Sequence, residues 1–136
     1  MFESILTPCL SLMFLTMVVS FYHTYGSMKL MRPGNSWEKG IPSDPYPNAP
    51  QSLQMIKNNI KNLFEYPIIF YVLSILIYLQ NISDNWLIYL AWIYVLLRIA
   101  HSFYHIFMNS THLRGGFWLI SQFILFAILI RFAIII

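Results

Sequence analysis

Long apolar stretches with very few charges constrain this chain more than any other feature of its sequence. Of its 136 residues, 58% are hydrophobic and only 10% are charged, whereas a soluble domain carries about 25% charged residues. Its eight lysines and arginines against five acids do not make the basic patch of a nucleic-acid-binding protein. The composition therefore predicts an all-α integral membrane protein.

Four stretches approach the roughly 20 mostly apolar residues that a membrane-spanning helix needs. We predict one domain over 1–136, an up-down bundle with helices at about 5–30, 52–79, 86–108 and 116–136. The apolar part of the second stretch is too short to span a membrane alone. The second helix must therefore include the polar segment before it, which brings polar side chains to membrane depth.

The distribution of basic residues predicts the orientation of the bundle. Positive charges gather at cytoplasmic connections, and the segment 80–85 between helices two and three has none. Arg114 lies in the third connection. The basic residues in or near the first connection are Lys29, Arg32, Lys39, Lys57 and Lys61. We therefore expect connections one and three in the cytoplasm and both termini on the non-cytoplasmic side.

Two polar stripes recur at the spacing i, i+3, i+4, i+7, which places each stripe on one helix face. The stripe on helix three comprises Arg98, His101, Ser102 and His105. The stripe on helix two comprises Asn58, Lys61, Asn62 and Glu65. Both occupy the helix half nearest the predicted cytoplasmic connections, so we expect them to meet at a similar depth.

Two interpretations of these stripes remain open. A charge in the hydrocarbon costs at least ~2.5–3.5 kcal/mol, so Glu65 and Arg98 could simply pair to hold helices two and three together. Alternatively, the stripes form a pocket for an anionic or zwitterionic ligand, which the surplus of polar groups favours. His101 and His105, four residues apart, could ligate a metal, but no HExxH pattern supports this and we predict no metal site.

The segments Asn62–Pro67 (NLFEYP) and Arg98–Ser102 (RIAHS), followed by Arg114, resemble the MAPEG superfamily of membrane-associated proteins in eicosanoid and glutathione metabolism. These segments are most similar to those of bacterial family members of unassigned activity. The resemblance therefore implies that the protein lies in the bacterial inner membrane. The resemblance also implies a homotrimer that binds glutathione between neighbouring subunits, near the cytoplasmic side.

The resemblance assigns roles to individual residues. Arg114 corresponds to the catalytic arginine that stabilises the glutathione thiolate, and a nearby cation does lower the pKa of a thiol. The residues implied in glutathione binding are Lys61, Asn62, Glu65, Tyr66, Arg98, His101 and His105. Where the family has an arginine and two tyrosines, this chain has Asn58, His105 and Trp118.

Two functions follow as hypotheses. One is a glutathione-dependent transferase or peroxidase acting on lipophilic electrophiles or lipid hydroperoxides in the membrane. The other is a non-catalytic protein of the same fold that binds a lipid headgroup or small ligand, or an accessory subunit. The two hypotheses differ in the role of Arg114, which either stabilises the glutathione thiolate or only anchors the helix end on the cytoplasmic side. The expected partners are membrane lipids and a lipophilic substrate, with no nucleic acid.

Overall fold

The computed structural model describes residues 4–30, 49–108 and 110–136. Regular helices account for most of them, and one stretch of π-helix continues the fourth helix. The elements in chain order are α1 (Leu6–Leu30), α2 (Gln51–Glu65), α3 (Pro67–Leu79), α4 (Asn85–Phe103), the π-helical segment (Tyr104–Met108) and α5 (Thr111–Ile135).

These helices supply four segments long and apolar enough to cross a membrane. We refer to them as spans one to four: Leu6–Lys29, Gln51–Leu79, Asn85–Met108 and Thr111–Ile135. The predicted all-α membrane protein is confirmed at this level. The proline-rich part of the predicted first connection, with Arg32 and Lys39, lies outside the described residues.

Span two is interrupted at Tyr66, where α2 ends and α3 begins. Pro67 follows directly and occupies the first turn of α3. A proline has no N–H to donate to the preceding turn, but its fixed φ suits the start of a helix. The backbone N–H of Ile69 then donates to the carbonyl of Tyr66 at 3.1 Å. The polar half and the apolar half of span two are therefore separate helices in direct succession.

Asp84 fixes the start of α4 and ties it to the end of α5. One carboxylate oxygen accepts from the backbone N–H groups of Trp86 at 2.7 Å and Leu87 at 3.3 Å. The other accepts from Arg131, at 3.0 Å from Nε and 2.7 Å from Nη2. These contacts, foremost the hydrogen bond from Arg131, lower the pKa of Asp84 below its ordinary value. Arg131, which the sequence places near an interface, thus has a specific partner.

Span four begins earlier than its glycines suggest. We predicted a start near residue 116, but α5 starts at Thr111, and the N–H of Arg114 donates to the Ser110 carbonyl at 3.1 Å. Gly115 and Gly116 therefore lie inside the helix and do not form a turn. A Cβ at either glycine would meet nothing within 4 Å, so no close contact requires them.

The helices bury a narrow apolar core in which α4 is central, since it packs against both α1 and α5. Large side chains with almost no exposure are Leu12, Leu63, Phe70, Leu87, Tyr94, Val95 and Ile128. Many other large apolar side chains lie on the outer surface, as hydrocarbon surroundings permit. Arg98, in α4, is as deeply buried as any of the core residues.

Candidate functional site

The polar stripe of span three lies on a buried face, as its spacing predicts. The exposed fractions are 0% for Arg98, 3% for His101, 2% for Ser102 and 5% for His105. The last of them lies in the π-helical segment. π-helical turns within α-helices are frequent at functional sites. Span three therefore carries four polar side chains into the interior of the helix bundle.

Arg98 is a buried cation with unused donors. Its Nη2 donates to the backbone carbonyl of Asn62, 2.6 Å away. Its Nε and Nη1 have no hydrogen-bond partner in the described part of the chain. A buried charge is costly unless it is paired and hydrogen-bonded. The guanidinium is therefore suited to an anionic or strongly accepting partner that the described residues do not supply.

The interpretation that Glu65 and Arg98 form an ion pair is wrong. Glu65 is exposed, and its carboxylate lies 3.9 Å from Nζ of Lys61, one turn away on the same helix. The described residues contain no ion pair between Glu65 and Arg98 within 4.0 Å. Arg98 contacts α2 through the Asn62 carbonyl, whereas the Glu65 side chain is exposed.

The helix-two stripe as a whole faces outward, contrary to the prediction that the two stripes meet. Asn58, Lys61 and Glu65 are exposed and Asn62 is half-buried. The reason is a second stripe on α2, mostly apolar, that takes the interior position. This buried stripe comprises Leu53, Ile56, Asn59 and Leu63.

Asn59 was missed by sequence reasoning, although it is fully buried. Both Oδ1 and Nδ2 of its amide lack a partner. The available signal was its position three residues after Ile56 and four before Leu63, on the apolar face of the helix. A polar residue within an apolar stripe is a better candidate for an interior group than one within a polar stripe.

His101 connects spans three and four. Its Nδ1 donates to the backbone carbonyl of Arg114 at 2.7 Å. Because a carbonyl oxygen only accepts, Nδ1 carries a proton, and in the neutral ring Nε2 is then an acceptor. Nε2 is buried and has no partner in the described structure. The ring of His105 follows at 5.6 Å between centroids, with its own Nδ1 unpartnered.

Two hydroxyl groups extend this set of buried polar atoms without partners. They belong to Tyr94, one turn before Arg98, and to Ser102, one turn after it. We call the whole set the inner polar cluster: Asn59, Tyr94, Arg98, His101, Ser102 and His105. Such groups are normally satisfied by protein, water or ligand, so the cluster is the strongest candidate for a binding site in the described residues.

Tyr66 lies at the edge of the protomer, away from the cluster. Its ring packs edge-on against Trp118, with centroids 5.4 Å apart. A cavity of about 200 Å³ beside it lies between α3 and α5 and is lined by Tyr66, Ile69, Gln122, Leu125, Phe126 and Leu129. Four of its six lining residues are aliphatic or phenylalanine side chains, so the cavity is mostly apolar. The site residues implied by the resemblance are thus divided between the interior and the outer surface.

The described residues contain no group of three or more His, Cys, Asp and Glu side chains that could hold a metal ion. His101 and His105 form a pair without a third ligand of these types.

Comparison with known proteins gives one match. The model of the MAPEG family matches residues 5–134, which is nearly the whole chain. The searches of curated proteins and of solved structures found no match to the chain.

Proposed function

Because the chain belongs to the MAPEG family, we propose that it is a glutathione-dependent transferase or peroxidase acting on lipophilic electrophiles or lipid hydroperoxides in the membrane. The family includes such enzymes as well as non-catalytic members. The observation that carries the proposal is the buried guanidinium of Arg98, two of whose three nitrogens have no hydrogen-bond partner among the described residues. Glutathione carries two carboxylates, and a carboxylate is the acceptor that a guanidinium fork fits best.

The face of α2 that is exposed in one protomer supports a homotrimer. Asn58, Lys61 and Glu65 lie on a membrane-spanning segment, where lipid-exposed charges are costly. A neighbouring subunit would cover them. In this arrangement glutathione lies between subunits, with Lys61, Asn62, Glu65 and Tyr66 on its outer side. Arg98, His101 and His105 approach it from the interior.

Arg114 is the residue that we assign to the thiolate. A thiol reacts as its thiolate, and a neighbouring cation favours that form. His101 holds the Arg114 carbonyl, so the backbone from which this guanidinium projects is fixed to span three. The thiolate would attack an electrophilic carbon of a substrate that enters from the bilayer, either displacing a leaving group or adding to an activated double bond. With a lipid hydroperoxide it would attack the terminal oxygen, breaking the O–O bond and releasing the lipid alcohol, and a second glutathione would reduce the sulfenic acid to glutathione disulfide and water. The apolar cavity beside Tyr66 offers such a route.

One observation favours the second candidate, a non-catalytic ligand-binding protein. Lys61 and Glu65 lie 3.9 Å apart and so offset each other's charge, which leaves less of it for a ligand. Asn58 and Trp118 also differ from the family pattern. The two candidates differ in whether a glutathione thiolate forms, and not in whether the inner polar cluster binds a polar molecule.

Titration of the detergent-purified protein with glutathione separates these functions. We expect saturable binding by calorimetry and a thiolate absorbance near neutral pH. Arg114→Lys should keep membrane insertion but lose the thiolate, because lysine lacks the planar fork. Arg131→Lys, at the other end of the same span, is the matched control and should keep it. Absence of the thiolate in the unmodified protein at saturating glutathione would refute the enzymatic function.

The oligomeric state needs its own measurement. Native mass spectrometry in mild detergent should give three copies of the 16.1 kDa chain. A monomer under conditions that preserve glutathione binding would contradict the proposed site between subunits.

A further inference from the structure

A second cavity lies where the end of α1 meets the start of α2, apart from the inner polar cluster. Its volume is about 350 Å³, and its lining includes Tyr22, Tyr25, Gly26, Lys29, Ser52 and Leu53. None of these residues belongs to the site proposed for glutathione. The cavity is open on one side and lies on the outer surface of the bundle.

Lys29 is the single charged residue that lines this cavity in the described structure. Its Nζ lies 4.5 Å from the centroid of the Tyr25 ring, and no carboxylate of the described residues forms an ion pair with it. Lys29 is also the last residue of span one. It therefore lies at the depth where a helix leaves the hydrocarbon and lipid phosphates begin.

The wall below Lys29 is apolar and is formed by Leu53 and Ile56 of α2. Gly26 allows α1 to approach this wall, since a Cβ at that position would come within 3.1 Å of Cδ1 of Leu53. Ser52 adds a hydroxyl beside the apolar wall. The first turn of α2 contains no acidic residue, so its partial positive charge adds to that of Lys29.

We propose that this cavity binds one anionic phospholipid per protomer. The phosphate lies against the ammonium of Lys29, with the tyrosine and serine hydroxyls as further donors, and an acyl chain follows Leu53 and Ile56. A zwitterionic lipid is a poorer occupant because its own cationic group would lie beside Lys29, where the described residues offer no carboxylate to accept it. The proposal is independent of the glutathione site.

Lipid retention measured by native mass spectrometry tests this proposal on the full-length protein. The protein is reconstituted in nanodiscs of phosphatidylglycerol or of phosphatidylcholine and then released into mild detergent. We expect one phosphatidylglycerol retained per protomer and no comparable retention of phosphatidylcholine. Equal retention of both lipids would overturn the proposal.

Variants locate the bound lipid. Lys29→Gln should weaken phosphatidylglycerol binding about fivefold, as expected for one basic residue near an anionic lipid, and Lys29→Glu should abolish it. Lys29→Arg should retain it. Lys57→Gln removes the same charge from α2 outside the cavity lining and is the control, expected to stay within about twofold of the unmodified protein.

If Lys57→Gln and Lys29→Gln weaken binding equally, the attraction belongs to the diffuse surface charge and the cavity proposal fails. Glutathione titration of the same variants serves as the folding check. Lys29→Gln should give the same glutathione titration curve as the unmodified protein.

Discussion

Replacing Arg98 with methionine should make the protein more stable while removing its ligand binding. Methionine has a similar length and no donors, so it fills the same space without a charge. The usual expectation for a buried arginine is the opposite, because breaking a buried ion pair costs about 3–5 kcal/mol. In this structure Arg98 has no acidic partner among the described residues, and that difference reverses the sign.

The magnitude follows from the hydrogen bonding of the three guanidinium nitrogens, which together carry five N–H groups. A buried donor without a partner costs about 1–3 kcal/mol, so Nε and Nη1 together destabilise the native state by about 2–6 kcal/mol. The charge-assisted bond from Nη2 to the Asn62 carbonyl contributes about 1.5–3 kcal/mol in the other direction. Because the middles of these two ranges are about 4 and about 2 kcal/mol, we expect Arg98→Met to raise the free energy of unfolding by about 2 kcal/mol.

Arg131→Met is the matched control, because it removes the same group from a site where the partner is present. The Arg131 side chain is 41% exposed and that of Asp84 13%, so screening by solvent reduces the value of this pair. We expect a loss of about 1 kcal/mol. The assay is unfolding in mixed micelles of increasing sodium dodecyl sulfate content, followed by tryptophan fluorescence, with glutathione calorimetry on each variant.

A loss of stability of more than about 2 kcal/mol in Arg98→Met would refute this reasoning. It would mean that Nε and Nη1 are satisfied in the purified protein by a retained ion, water or ligand. Retention of full glutathione affinity by the variant would separately remove Arg98 from the proposed site.

Three further predictions concern the ends of the spans. Because the pKa of Asp84 is lowered in the folded protein, its stabilising contribution is complete above about pH 4 and is lost as the pH falls through the lowered value. Asp84→Asn should flatten this acid limb of stability against pH. Gly115→Ala and Gly116→Ala should each raise the free energy of unfolding by about 0.5–1 kcal/mol, since a Cβ has free space there; a decrease in the same micelle assay would show that a contact requires glycine. His101→Phe should lower the free energy of unfolding by about 1–2 kcal/mol through loss of the hydrogen bond to the Arg114 carbonyl. Backbone hydrogen exchange should then accelerate in the first turn of span four. Unchanged exchange would argue against His101 as the connection between spans three and four.

The sequence predicted the membrane fold and the buried face of span three for the same physical reason. Polar residues on an otherwise apolar helix avoid lipid by facing protein, and Arg98, His101 and His105 do so. The predicted start of span four, near residue 116, coincides with the Gly115-Gly116 pair, but α5 runs through both glycines. Glycine is common in membrane helices, so a pair of glycines indicates a turn less strongly here than in a soluble protein.

Span two could not be predicted in the same way, because α2 has two faces of different character. Its apolar stripe, with Asn59 within it, faces the interior, and the stripe with Lys61 and Glu65 faces outward. This is the pattern of an amphipathic helix of a soluble protein, followed by the strongly apolar α3. The sequence of one chain does not reveal whether such an outward face meets water, lipid headgroups or another subunit. We therefore predicted that α2 extends span two, but not which of its two faces is turned toward the interior.

The rotation of α2 explains why the proposed site needs contributions from both sides of that helix. Arg98 donates to the Asn62 carbonyl from within the protomer, while Lys61 and Glu65 occupy the neighbouring outward positions on the same turns. Two separate features of α2 and its surroundings therefore destabilise the membrane-embedded chain. They are the buried Arg98 donors, which have no partner among the described residues, and the charged side chains on the exposed face of the helix. In the site that we propose, an anionic ligand would relieve the first and a neighbouring subunit would relieve the second. Since α2 joins the two, ligand and neighbour act on the same helix, and this coupling is what a shared binding site between subunits requires.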